Sequence, residues 1–186
     1  MVARICAKEL KRVIQALKPF TSGGTYNKLM QYIHFKVNSQ EKEVKFEALD
    51  GHRIAVEYLP CEADEDFKGY IMPVNIGKIR DDYCEIELQG DKSYLTVDDI
   101  RYRFIQPEGT WYNTDKIWKD FQKKEPQIVG MNTELLREAL KYQETANSGR
   151  TNAQLEFRGE REAVIIRNCN DGRNMRAILP ITLPRG

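Results

Sequence analysis

No apolar run in this 186-residue chain approaches the ~18 residues that a membrane-spanning helix needs. Net charge is equally scarce: 29 Lys and Arg stand against 28 Asp and Glu, for a total of +1. That balance excludes a grossly basic, histone-like binder and an acidic disordered tail, so any nucleic-acid role has to rest on local charge. Four cysteines, Cys6, Cys61, Cys84 and Cys169, lie far apart without a C-x-x-C pair, which excludes a zinc knuckle or a dithiol redox motif and leaves reduced, mostly buried thiols. The start, Met1-Val2-Ala3-Arg4-Ile5-Cys6, lacks the apolar stretch and cleavage site of a secretory signal, and the expected location is the cytoplasm.

Catalytic vocabulary is missing too. There is no G-x-x-x-x-G-K-[ST], no G-x-G-x-x-G and no G-x-S-x-G, so neither a phosphate-cradling loop nor a hydrolase nucleophile elbow has a candidate. The two histidines, His34 in the middle of an alternating run and His52 beside a turn, read as structural residues. Glu62, Asp64, Glu65 and Asp66 lack the glycine and closing glutamate of a calcium loop and read as a solvated acidic loop. No enzyme activity, cofactor or metal is expected.

What is present is patterning, with 41% hydrophobic residues, 31% charged residues and a mean hydropathy of -0.61, the balance of a folded water-soluble protein. Leu10, Val13, Ile14 and Leu17 follow helical spacing, with Lys8, Lys11, Arg12 and Gln15 opposite. Alternating runs follow at residues 33–37, 44–48 and 54–58, the last two joined by the hairpin signal Asp50-Gly51. Strand, helix and three strands recur in compressed form: a strand at 70–72, a short helix at about 75–80, and strands near 84–88, 94–97 and 101–105. A third copy opens at 127–130, continues with a helix at about 133–143 striped by Leu135, Leu136, Ala139 and Leu140, and closes with strands near 153–157, 164–167 and 175–183. Repetition of a βαβββ unit makes an α+β protein.

Leu49-Asp50-Gly51-His52-Arg53-Ile54-Ala55-Val56 resembles the T-D-G-H-R-L-A-V segment of the bacterial DNA polymerase III β subunit family, the sliding clamps. Ile178-Leu179-Pro180-Ile181-Thr182-Leu183 is similar to that family's closing hydrophobic-Met/Leu-Pro-x-Arg-Leu tail. Gly69-Tyr70-Ile71-Met72-Pro73 resembles the strand before its second helix, and Glu108-Gly109-Thr110-Trp111-Tyr112 stands in the place of its D-G-R-F-P-D-Y linker. All four pieces keep the family's order. Departures are a linker that offers Lys116 and Ile117 where the family has proline and an arginine pair, Thr182 in place of the tail arginine, and the extra Pro184-Arg185-Gly186.

The resemblance implies a DNA-clamp fold of repeated βαβββ units in about one and a half clamp domains. Residues 1–110 would form a complete domain of two units, 111–126 a linker, and 127–186 half a domain. The implied function is a non-enzymatic replication processivity factor that encircles double-stranded DNA without reading its sequence and tethers a polymerase or another DNA-processing protein. The implied site is a hydrophobic cleft for linear peptide motifs of a polymerase or clamp loader. Its residues would be Leu49, Gly51, His52, Arg53 and Ile54 with Ile178, Leu179, Pro180, Ile181 and Leu183, flanked by Met30, Lys116 and Ile117. Residues 1–36 hold seven Lys or Arg against one Glu, and Lys8, Lys11, Arg12, Lys78, Arg137 and Lys141 are the expected DNA-facing cations. An odd number of units implies a homo-oligomer, a dimer or a dimer of dimers closing a ring. The alternative is a clamp-like adaptor or decoy that keeps the peptide cleft and never encircles DNA.

Overall fold

The computed structural model describes residues 1–23, 27–121, 130–140, 153–159, 161–168 and 172–181. They divide into two units, Met1–Asp50 with Val56–Thr110, and Gly51–Ala55 with Trp111–Gly186. The Gly51–Ala55 segment groups with the second unit, although its chain neighbours on both sides belong to the first.

In the first unit, Ala3 and Ile5 of β1 (Val2–Cys6) point inward while their neighbours face out, the period of two that a half-buried strand imposes. The helix α1 (Ala7–Leu17) follows, and its stripe of Leu10, Val13, Ile14 and Leu17 is buried throughout, against β1 and the later strands β3 (Glu43–Leu49) and β6 (Tyr83–Gln89). Pro19, lacking an amide hydrogen, sits in the short 3₁₀ turn that ends the helix. The remaining strands are β2 (Ile33–Asn38), β4 (Arg53–Ala63), β5 (Phe67–Ile71), β7 (Lys92–Val97) and β8 (Ile100–Ile105), in the sheet order β5-β2-β3-β4-β1-β6-β7-β8. β1 pairs antiparallel with both β4 and β6, joining the strands of the first repeat to those of the second.

The repeat is imperfect. Residues 72–80, expected to hold a short helix, are irregular. Pro73 cannot donate, Gly77 is a poor helix former, and Ile76 is the one buried residue of the stretch, so no apolar stripe exists to stabilise a helix. Its polar groups bond elsewhere. Lys11 Nζ donates to the Gly77 carbonyl (2.6 Å), Lys18 Nζ to Asn75 Oδ1 (3.3 Å), and the amides of Arg80 and Asp81 to the Asp98 carboxylate. His34 is buried, with Nδ1 3.2 Å from Glu47 Oε2, the structural role its position suggested. The acidic stretch is only partly a loop, because Glu62 lies in β4 and Asp66 accepts the amide (2.8 Å) and hydroxyl (2.7 Å) of Ser39. Cys61 and Cys84 are buried, and burial pushes their thiols up to about 11 and about 12, whereas Cys6 is exposed and Cys169 lies outside the described residues.

β5 and β8 end the strand order, yet β5 runs close to β6 and β7. Gln106, just past β8, supplies from its side chain what a neighbouring strand would supply from its backbone. Its Oε1 accepts the Tyr70 amide (2.8 Å), and its Nε2 donates to the Tyr70 carbonyl (3.0 Å) and to Ser93 Oγ (2.9 Å). The Ser93 hydroxyl donates to the same carbonyl. The approach requires a residue without a side chain at position 69, where a Cβ would stand 2.8 Å from Gln106 Oε1 and 2.9 Å from the Phe35 ring.

In the second unit, α2 (Thr114–Phe121) occupies part of what the sequence reads as a linker. Asn113 Oδ1 accepts the Lys116 amide as an N-cap and Trp118 is buried, so this stretch is an ordered element. The helix α3 (Thr133–Leu140) is capped by Asn132, whose Oδ1 accepts the amides of Glu134 and Leu135, and it packs on β11 (Met175–Ile178). Residues 127–129 and 141–143 lie outside the described residues. The antiparallel strands β9 (Ala153–Glu156) and β10 (Val164–Asn168) precede β11, with Ile166 opposite both Leu155 and Arg176. β11 is shorter than the expected strand to Leu183. Past Ile178 stands Pro180, which cannot donate to a ladder, and among the described residues of the tail Ile181 pairs again, with Gly130.

Across β9 and β10, Glu156 receives both Arg158 and Arg167. Burial raises its carboxyl, but the two arginines outweigh burial and hold it below the ordinary value of 4.5. Because the folded value is depressed, the stability from this cluster is fully present above pH 4.5 and is lost as pH falls through the lowered folded value. Glu156→Gln should flatten the acid limb of a stability-against-pH curve, and an unchanged limb would remove the cluster from the acid response. Gly69→Ala should cost about 1–3 kcal/mol through overpacking against Phe35 and Gln106. Urea denaturation reads that loss, and an unaltered midpoint would refute the close approach.

Candidate functional site

A single turn and the chain's tail build the site. Asp50-Gly51 ends the β3 hairpin arm, and Gly51 has φ +90°, a left-handed conformation that only glycine adopts without strain. No atom would lie within 4 Å of a Cβ there, so conformation and not crowding requires the glycine. The turn delivers the His52 carbonyl to the Leu179 amide at 3.1 Å, and β11 pairs with β4, whose first residues Arg53–Ala55 belong to this unit. One residue on, Arg53 forms an ion pair with Glu138 of α3. Two residues past Leu179, the Ile181 amide donates to the Gly130 carbonyl at 3.0 Å.

These bonds bring together Gly51, His52, Arg53, Ile54, Ile178, Leu179, Pro180 and Ile181, residues separated by more than a hundred positions. Their exposure divides them. Ile54 and Ile178 are buried and support the site, whereas Leu179 is 41% and Ile181 46% exposed beside the exposed Gly51 and His52. Two large aliphatic side chains in water beside oriented backbone groups form a surface suited to an apolar side chain of a partner.

Other expected members are placed differently. Lys116 is exposed and Ile117 half-buried on α2, and no hydrogen bond or ion pair among the described residues links either to the turn. Leu49, buried at the end of β3, and the half-buried Met30 belong to the first unit. Leu183 lies outside the described residues. Sequence reasoning did not include Glu138 among the site residues. Nothing in its local pattern announces a partner 85 residues away.

The expected DNA-facing cations also separate. Lys8 and Lys78 are exposed, Lys78 in the irregular 72–80 stretch and not on a helix, and Lys11 is half-buried on the Gly77 carbonyl. Arg12 carries ion pairs that the sequence did not suggest. Its Nη1 lies 3.2 Å from the buried Glu57 carboxylate and its Nε 2.9 Å from Glu9, so its charge is paired within the protein although the side chain is partly exposed. Burial lowers the basicity of its guanidinium, but Glu57 and Glu9 outweigh burial and raise it above the ordinary value. Arg137 is exposed on α3, and Lys141 lies outside the described residues. Among the described residues no three His, Cys, Asp or Glu gather as metal ligands, and no helix is long and apolar enough to cross a membrane.

No protein-family model and no curated protein sequence matches the chain. Solved structures do. The DNA polymerase sliding clamp of Bacillus subtilis superposes with a TM-score of 0.77 at 12% identity, over 98% of this chain and 64% of the clamp. The DNA polymerase III β chain of Streptococcus pneumoniae gives 0.75 at 16% identity, over 97% and 64%. The Helicobacter pylori β clamp, solved with a DNA ligase peptide bound, gives 0.76 at 13% identity, over 98% and 66%. The chain thus has the sliding-clamp α+β fold and spans about two-thirds of the length of those clamps.

Gly51→Ala should destabilise the protein by about 1–2 kcal/mol, the cost of a Cβ in a left-handed backbone, although the surrounding space is open. Gly51→Asn should cost less. Chemical denaturation of the three proteins checks the order, and equal stability of all three would show that the turn can adopt another conformation.

Proposed function

We propose that this protein is a clamp-like processivity factor: copies of the chain close around double-stranded DNA, and the surface at Leu179 and Ile181 anchors a linear peptide of a polymerase or another DNA-processing protein. The observation that carries the reading is the hydrogen-bonded meeting of the Gly51–Arg53 turn with the 179–181 tail in a chain of clamp fold. Peptide binding by the Helicobacter pylori clamp supports it by analogy. Nothing in this function needs catalysis. A ring raises the local concentration of a tethered enzyme at its template by preventing escape, and its contacts with phosphates carry no base sequence.

The alternative adaptor, which binds peptides without encircling DNA, draws support from Arg12. The basic face of α1 is smaller than its composition suggests, because that guanidinium serves Glu57. Exposed Lys8 and Lys78 are then the cations to test. In the ring reading, light scattering finds a multimer, and the protein is retained on circular DNA but slides off linear DNA. Lys8→Glu with Lys78→Glu should weaken that retention and lower the log–log salt slope by roughly one per lost phosphate contact. A monomer at all concentrations with no topological retention would leave the adaptor.

A further inference from the structure

Arg53 is the cation nearest the Leu179 contact in sequence and bonding, since its neighbour His52 accepts the Leu179 amide. Its side chain is only 11% exposed, and an arginine held out of water requires a countercharge. Glu138 supplies it from α3, with its own side chain 42% exposed. The partly exposed carboxylate is therefore tied to Arg53, the residue next to the His52 carbonyl that holds the exposed Leu179.

We propose that Glu138 is a specificity-determining residue of this site: it occupies Arg53, so the site accepts uncharged, apolar linear peptides and resists acidic ones. This rests on the peptide-site reading above. A partner carboxylate seeking Arg53 finds the guanidinium already paired with Glu138 and is repelled by that carboxylate. To reach Arg53 it has to displace a carboxylate already paired at close range, exchanging one charge-assisted bond for another with no gain. An apolar partner encounters neither cost, because burying a leucine-sized side chain against Leu179 and Ile181 leaves the ion pair intact. On this view Glu138 excludes one class of partner and adds no attraction for the other.

The test uses two fluorescently labelled peptides that share a pair of bulky apolar residues, one otherwise neutral and one carrying two aspartates beside that pair. The full-length protein is titrated with each at low and high salt. Wild type should favour the neutral peptide. Glu138→Gln should raise the ratio of acidic to neutral affinity about tenfold, with a steeper salt dependence for the acidic peptide. The Arg53→Gln, Glu138→Gln double variant should lose that gain, and it also removes the buried charge that a single substitution leaves unpaired. An unchanged ratio in Glu138→Gln, or a gain that persists without Arg53, overturns the proposal while leaving the peptide site standing. Binding of neither peptide to wild type or variants overturns the site and the proposal together.

Discussion

The His52 carbonyl takes the amide hydrogen of Leu179, and the candidate site depends on that bond. It requires a chain reversal that aims the carbonyl outward from the start of β4, which Gly51 permits at φ +90°. It also requires a tail free to leave its ladder, which Pro180 provides by breaking strand pairing after Ile178. With the turn and tail joined, Ile54 and Ile178 are buried beneath while Leu179 and Ile181 stay in water. A backbone bond carries this arrangement, so side chains on the surface are free to vary without dissolving it.

Elsewhere polar groups do comparable work at close range. Gln106 closes the approach of β5 with one amide group serving as both donor and acceptor for Tyr70. Arg12 neutralises Glu57, and Arg158 with Arg167 neutralises Glu156. In each case a carboxylate or peptide group withdrawn from water meets a partner from another element. That is the condition for burying polar groups without a net loss. Such pairs also consume charge. A chain rich in cations along its first helix has fewer to present to a polyanion, which bears on the choice between a ring that tracks DNA and an adaptor that does not.

Much of the fold was legible because its elements are periodic. The α1 stripe, the alternating strands and the hairpin at Asp50-Gly51 each follow from local spacing. Reading failed where a pattern was short. Residues 75–80 looked helical by analogy with the first repeat, but one buried residue cannot hold a helix against the solvent. The helix α2 was taken for a linker although Asn113 stood at its cap and Trp118 and Phe121 marked an apolar side.

The sequence by itself determined the strongly periodic secondary elements, the absence of any recognisable catalytic motif and, through four short segments in order, the resemblance to sliding clamps. Local spacing suffices for these because helices and strands repeat at fixed periods and motifs are contiguous. Only the tertiary structure decided which charges are spoken for: that Arg12 belongs to Glu57 and Arg53 to Glu138, while Lys8 and Lys78 stay exposed. Ion pairs form between groups brought together by packing, and separations of 45 and 85 residues leave no trace in a local pattern.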